Sequence, residues 1–166
     1  MKNLPKGDKK LLNAWAFYDW ANSVYSLVIA SAVFPIFYGA LTVIRNDEGK
    51  IINDSVYFLG FNFNNDTLIS YVTAAAFLGV SVLSPLLSGI ADYVGNKKNF
   101  MKFFCYLGAL SCIGLFWFDL TQLWFGLLCY FLALIGFWAS LVFYNSYLPD
   151  IAFPDQQDGI SAKGFS

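Results

Sequence analysis

The sequence predicts an all-α, polytopic membrane protein with four transmembrane helices. Of its 166 residues, 58% are hydrophobic and only 13% are charged, whereas soluble domains carry about 25% charged residues. Four long runs contain no Asp, Glu, Lys or Arg: Trp20–Ile44, Thr67–Ala91, Phe103–Phe118 and Leu120–Pro149. A helix needs about 20 apolar residues to cross the hydrocarbon core of a bilayer. Because these runs lack alternating polarity, they also argue against a membrane-spanning β-barrel.

The first transmembrane helix is expected over about 20–44, after a basic N-terminal segment 1–19. A cleavable signal peptide has an apolar stretch of only about 7–15 residues. This run is longer and continues past Pro35, which indicates a spanning helix. Because proline lacks a backbone N–H and interrupts helix hydrogen bonding, we expect a kink at Pro35.

The other three helices are expected over about 68–91, 100–118 and 121–147, before a tail at 148–166. Segment 45–66 contains turn-forming pairs such as Asn64-Asn65 and is expected to be a polar surface loop. The link between the third and fourth helices is very short, so these helices must be antiparallel neighbours. Gly108 and Gly136 each begin a pair of small residues at four-residue spacing, a pattern that favours close helix contacts.

Basic residues predict the orientation of the chain. Eight lysines lie in the N-terminus, segment 92–102 and the tail, whereas segment 45–66 contains only Arg45 and Lys50. Cytoplasmic segments of membrane proteins carry the excess of Lys and Arg. We therefore expect both termini and the 92–99 loop in the cytoplasm, with 45–66 on the opposite side.

The composition argues against several classes of function. The chain has no histidine, which excludes histidine ligands and a Ser-His-Asp triad within it. Cys105, Cys112 and Cys129 lie in apolar runs without Cys-x-x-Cys spacing, so neither a zinc site nor a disulfide framework is indicated. A net charge of −1 without a long basic patch argues against nucleic-acid binding. No acid lies at mid-membrane depth, so we expect no catalysis, no metal and no cofactor.

A polar stripe marks the start of the first helix. Asp19, Asn22 and Ser26 lie at i, i+3 and i+7, on one helix face. A carboxylate in a membrane helix is costly unless it faces the protein interior or water. Tyr144 and Asn145 are expected at the same depth on the fourth helix. The five residues are therefore candidates for an inner gate or a way-station for solute or protons, with a helix cap and interhelical hydrogen bonds as the structural alternative.

The segment between the second and third helices carries a second candidate site. Gly95 permits a tight reversal of the chain, and Asp92 can cap the next helix or pair with Lys97 or Lys98. This pattern has two interpretations. It is either an ordinary positively charged cytoplasmic loop with a cap, or a charged latch between two packed helix bundles.

Three segments resemble the major facilitator superfamily. Its signature between helices 2 and 3 runs Gly-x-Leu-Ala-Asp-Arg-x-Gly-Arg-Lys, which this chain matches at Ala91, Asp92, Gly95 and Lys97. It departs from that signature at Ser88, Tyr93 and Asn96. The segments Tyr18-Asp19-Trp20-Ala21-Asn22-Ser23 and Phe143-Tyr144-Asn145-Ser146-Tyr147-Leu148-Pro149-Asp150 resemble the vacuole-effluxer-like branch of the superfamily.

The resemblance implies twelve helices in two six-helix halves with the solute between them. The four helices of this chain would then form part of the N-terminal half, followed by a missing fifth helix. It implies a secondary transporter that effluxes amino acids or similar small metabolites by alternating access. The implied partners are lipid, a small solute, a coupling proton and the remaining helices, in a bacterial inner membrane.

The resemblance also implies that Asp92, Gly95, Lys97 and Lys98 form a conformational switch, in which the acid holds the cytoplasmic side closed. A non-transporting four-helix membrane subunit or scaffold is the alternative function.

Overall fold

The computed structural model describes residues 4–164, except for the side chains of Asp92 and Val94. Its helices are α1 (Lys9–Thr42), α2 (Asn65–Val94), α3 (Lys97–Gly114), α4 (Leu123–Ile151) and α5 (Pro154–Gly164). Within the described residues, α1 to α4 are long and apolar enough to cross a membrane. The predicted all-α, polytopic membrane fold is therefore confirmed.

Helix α1 begins at Lys9, eleven residues before the apolar run that predicted it. Asp8 caps this end, because its carboxylate accepts two backbone N–H groups of the first turn at 2.8 and 3.2 Å. Leu12, Trp15 and Ala16 are buried against the end of α4. Capping and packing therefore extend α1 through a segment that was expected to precede the membrane helix.

The middle of α1 departs from α-helical geometry. Tyr25–Val33 is π-helical and lies between the α-helical segments Lys9–Val24 and Phe34–Thr42. Pro35 lies in the first turn of the second α-helical segment, where a missing N–H is tolerated. The sequence predicted a kink at Pro35, and the π-helical segment ends two residues before this proline.

Segment 44–64 forms two β-hairpins, which corrects the expectation of a polar surface loop. Strand β1 (Ile44–Arg45) pairs antiparallel with β2 (Ile51–Asn53), and β3 (Ser55–Phe58) pairs antiparallel with β4 (Phe61–Asn64). In the second hairpin, apolar residues recur at every other position, so Val56 lies opposite Phe63. Val56 is buried in the main core and holds this hairpin against the helices.

Helix α4 is the centre of the bundle, with α3 and α2 packed along it. A Cβ atom on Gly136 would lie only 2.5 Å from the backbone nitrogen of Gly108, so α3 and α4 touch through their backbones. This close contact confirms the packing predicted from small residues. Between the two helices, Asp119 caps the short 3-10 helix Leu120–Gln122 by accepting the N–H of Leu120 at 2.6 Å.

The chain after α4 is helical over most of the segment expected to be a tail. Helix α4 continues through Pro149 to Ile151, and α5 follows after a short break. Helix α5 packs against the first half of α1, where Lys163 Nζ donates to Asn13 Oδ1 at 2.7 Å. This contact positions the end of α5 beside the polar stripe of α1.

Candidate functional site

A cavity of about 510 Å³ lies beside the polar stripe of α1. Asp19, Asn22 and Ser26 line one side of it, together with Ser23. Phe137, Trp138 and Leu141 of α4 and Gly164 of α5 line the rest, along with two further residues of α1, Trp20 and Leu27. The structure therefore brings together the three α1 residues that the stripe predicted, opposite an apolar wall.

The serines and the asparagine of this cavity differ in their hydrogen bonding. Ser23 Oγ donates to the Trp20 carbonyl at 2.7 Å, and Ser26 Oγ donates to the Ser23 carbonyl at 3.1 Å. Both hydroxyl hydrogens are therefore used within α1. In contrast, Asn22 Nδ2 is buried and has no hydrogen-bond partner among the described residues. Asn22 can therefore donate to a water molecule or a solute.

Tyr144 is buried between two aromatic residues of α1. Its ring stacks on Trp15 with centroids 4.1 Å apart and on Tyr18 with centroids 5.2 Å apart, and Trp15 Nε1 donates to the Tyr144 carbonyl at 3.1 Å. The Tyr144 hydroxyl has no hydrogen-bond partner within residues 4–164. A Cβ on Gly164 would lie 3.2 Å from Asp19 Oδ2 and 3.6 Å from this hydroxyl, so Asp19 and Tyr144 converge at Gly164.

Asn145 does not join this group. It is exposed and is absent from the lining of the 510 Å³ cavity. Successive residues of a helix differ by about 100° in direction, so the burial of Tyr144 turns its neighbour away. Three of the five candidates therefore line the cavity, Tyr144 lies beside Asp19 at the end of α5, and Asn145 is separate from them.

A second cavity, of about 220 Å³, lies between α1, α3 and α4. Asn22 lines both cavities, and Tyr25 lines only this one. The Tyr25 hydroxyl is buried without a partner in the described part of the chain. Unpaired buried polar groups in a cavity of this size are typical positions for bound water.

The predicted 92–99 loop is mostly helical, because α2 continues to Val94 and α3 begins at Lys97. The α2–α3 loop, defined here as 95–98, therefore includes the start of α3. It contacts the C-terminal end of α4 through Lys97. Its Nζ atom lies 3.0 Å from Asp150 Oδ2 and donates to the Ser146 carbonyl at 3.2 Å. Gly95 adopts a positive φ of 67°, which makes the tight reversal that the sequence predicted. Lys98 is exposed. The predicted pairing of the Asp92 side chain lies outside the described residues.

The N-terminal segment contacts the same end of α4. Lys6 Nζ donates to the Pro149 carbonyl at 2.6 Å, and the Gly7 N–H donates to the Ile151 carbonyl at 2.8 Å. Sequence reasoning missed these contacts and the role of Asp150, although Asp150 ends one of the segments that carried the family resemblance. Cations are favoured at a helix C-terminus, and this rule could have indicated the contacts.

The arrangement places polar groups beside an aromatic wall. A half-buried carboxylate, two unpaired polar groups and an aromatic wall can hold a small polar solute or its bound water. Within residues 4–164, no three Cys, Asp or Glu side chains lie close enough together to hold a metal ion.

Comparison with known families gives a match over nearly the whole chain. The model of the family described as "Vacuole effluxer Atg22 like" matches residues 7–163, nearly the whole chain. The chain belongs to this Atg22-like family. The Atg22-like match includes the polar stripe of α1, the α2–α3 loop and all of α4.

Curated relatives of this Atg22-like chain come from a bacterium and from fungi. An uncharacterized MFS-type transporter, YxiO, of Bacillus subtilis (strain 168) is 35% identical over 92% of this chain and 33% of its own length. Autophagy-related protein 22 of Coccidioides immitis (strain RS) is 30% identical over 85% of this chain and 28% of its own length. The chain spans about a third of the length of these relatives. They confirm the predicted membership of the major facilitator superfamily.

No solved structure matches the Atg22-like chain. Family membership therefore rests on the family match and on the curated relatives.

Proposed function

We propose that this chain acts as the N-terminal part of a secondary transporter that effluxes amino acids or similar small metabolites by alternating access. The observation that supports this proposal is the 510 Å³ cavity. It is lined by Asp19, Asn22 and Ser26 of α1 and by aromatic residues of α4. Membership of a family described as effluxers supports export as the direction of transport. The remaining helices would close the open side of the cavity.

The Asp19 carboxylate is proposed to bind a positively charged group of the solute or a coupling proton. No lysine or arginine of the described chain lines the cavity, so a positive charge on the solute or a proton would neutralise the carboxylate. The nearby Tyr144 hydroxyl and Asn22 amide supply further polar contacts. A carboxylate that changes its charge during transport would make the rate depend on pH.

The α2–α3 loop is proposed to act on the conformational step of transport. Lys97 links this loop to Asp150 at the end of α4, the helix that also lines the cavity. Movement at the loop can therefore reach the cavity through α4. The proposed location is a bacterial inner membrane, with the N-terminus and the α2–α3 loop in the cytoplasm.

The test is transport by the complete transporter in proteoliposomes, measured with radiolabelled neutral and basic amino acids. Asp19→Asn preserves the shape of the side chain but removes its charge, so we expect loss of transport or of its pH dependence, with normal membrane insertion. Asp158→Asn, which changes an exposed acid of α5, is the matched control. Wild-type rates across the pH range in Asp19→Asn would reduce Asp19 to a structural role.

A further inference from the structure

The β3–β4 hairpin has an unusual tip. Its two turn residues, Leu59 and Gly60, both adopt positive φ, of 50° and 89°. Two-residue hairpin turns with positive φ at both positions strongly prefer Asn, Asp or Gly at the first position. A bulky residue in this conformation is an outlier that costs conformational free energy. The chain nevertheless places leucine there.

Contacts within the described chain do not offset this cost. The Leu59 side chain is 79% exposed, the highest exposure of any leucine in the described residues. Its neighbours on the hairpin, Tyr57 and Phe61, are also mostly exposed. The tip therefore leaves three large apolar or aromatic side chains mostly exposed.

The tip is folded back along the helices. Phe58, Leu59 and Phe61 line an apolar groove of about 620 Å³ together with residues of α2 and α4. The deepest of these are Ala75 of α2 and Phe131 of α4, ten and eight residues from the helix starts. At about 1.5 Å per residue, the groove reaches into the charge-free parts of both spans. The groove that the tip lines therefore extends alongside the apolar part of the bundle.

The same groove carries the residue types of a membrane interface. Tyr71 of α2 and Trp124 of α4 line it, and each is 61% exposed. Tyr and Trp are enriched where a membrane protein crosses the headgroup region. The base of the hairpin is polar instead, because the Asn65 N–H donates to the Asp54 carbonyl at 2.8 Å, and Asn64 hydrogen-bonds to the Asp54 carboxylate.

We propose that the tip of the β3–β4 hairpin inserts into the lipid leaflet that borders it. Lipid acyl chains cover Leu59 and Phe61, and Tyr57 lies at the headgroup boundary. Burial of these side chains in lipid offsets the cost of a leucine at positive φ. The hairpin therefore anchors the α1–α2 connection to the membrane surface, a role separate from solute transport.

The test uses spin labels on the complete protein in vesicles of phosphatidylcholine and phosphatidylglycerol. Single cysteines replace Leu59, Phe61 or Glu48 in a background without Cys105, Cys112 and Cys129. Glu48 is the matched control, since it is an exposed residue in the turn of the β1–β2 hairpin. Collisions of each label with oxygen, which concentrates in lipid, and with a water-soluble nickel complex are then compared.

We expect the ratio of oxygen to nickel collisions to be several-fold higher at Leu59 than at Glu48. The label at Phe61 should give the same high ratio as the label at Leu59. If Leu59→Cys does not fold, the Phe61 label alone tests the proposal. Labels at Leu59 and Phe61 that meet the nickel complex as often as Glu48 would overturn the proposal. Labels shielded from both reagents would also overturn it, because another protein segment would then cover the tip.

Discussion

Asn22 of α1 lines both cavities of the bundle, and its amide nitrogen is buried. A buried donor left without a hydrogen bond costs about 1–3 kcal/mol. Asn22 Nδ2 has no partner among the described residues, so water or solute in the cavities can satisfy it. The Tyr144 and Tyr25 hydroxyls are in the same condition. These unpaired groups lie on α1 and α4, and buried polar groups of this kind are typical positions for bound water.

Gly136 provides a test of the α3–α4 contact at the level of one atom. Gly136→Ala should lower the melting temperature of the purified protein, because the new Cβ would lie 2.5 Å from the Gly108 nitrogen. Overpacking of this kind costs about 1–3 kcal/mol. Thermal unfolding in detergent measures the effect.

Gly159→Ala in α5 is the matched control for this measurement. Apart from the adjacent backbone of α5, no described atom lies within 4 Å of a Cβ at Gly159. Alanine should therefore be neutral or stabilising there, by up to about 1 kcal/mol. Equal melting temperatures for the two variants would show that the backbones of α3 and α4 are not in contact.

At the scale of elements, the sequence predicted the number and type of the spans but not their ends. A run without charged residues indicates where lipid can surround a helix. The first residue of the helix depends instead on its cap, such as Asp8 of α1. The π-helical segment of α1 has no sequence signal that we can identify. The second hairpin did have one, the alternation of Val56, Phe58, Phe61 and Phe63, but the surrounding asparagines indicated a loop.

The candidate site, too, could be predicted only in part from the sequence. The spacing of Asp19, Asn22 and Ser26 follows from helix geometry alone, so the sequence was sufficient to place them on one face. Contacts between distant segments, such as Lys97 with Asp150, depend on how the helices pack. No local pattern determines that packing. The shared face was therefore predictable, and the partner of Lys97 was not.

The contact between the α2–α3 loop and α4 predicts a specific kinetic defect. Asp150→Asn removes the charge that lies 3.0 Å from Lys97 Nζ, and it should slow transport while solute affinity stays within a few-fold. The reason is that Asp150 is absent from the cavity lining. Transport rates and equilibrium binding on the complete transporter separate the two effects.

Asp155→Asn is the control for this variant, since Asp155 is an exposed acid on α5. A Lys97→Gln variant completes a double-mutant cycle, in which the two changes should be less than additive because they disrupt one contact. A large loss of affinity with unchanged turnover in Asp150→Asn would contradict the proposed role.

At the scale of the whole molecule, orientation in the membrane is predicted by eight basic residues on one side against two on the other. Single cysteines at Asn53 and Asn96, in a background without the native cysteines, should react with an impermeant reagent from opposite sides of the membrane. Intact and inverted vesicles measure this. Labelling of both positions from the same side of the membrane would contradict the four-span topology.

Gly164 at the end of α5 lines the 510 Å³ cavity and has only a hydrogen atom as its side chain. The carboxylate of Asp19 and the hydroxyl of Tyr144 both reach this position, and a single methyl group would touch both. Replacing Gly164 in steps with alanine, valine and leucine would place progressively larger side chains at this wall of the cavity. The smallest side chain in this series that blocks transport would set an upper limit on the space that the solute needs beside Gly164.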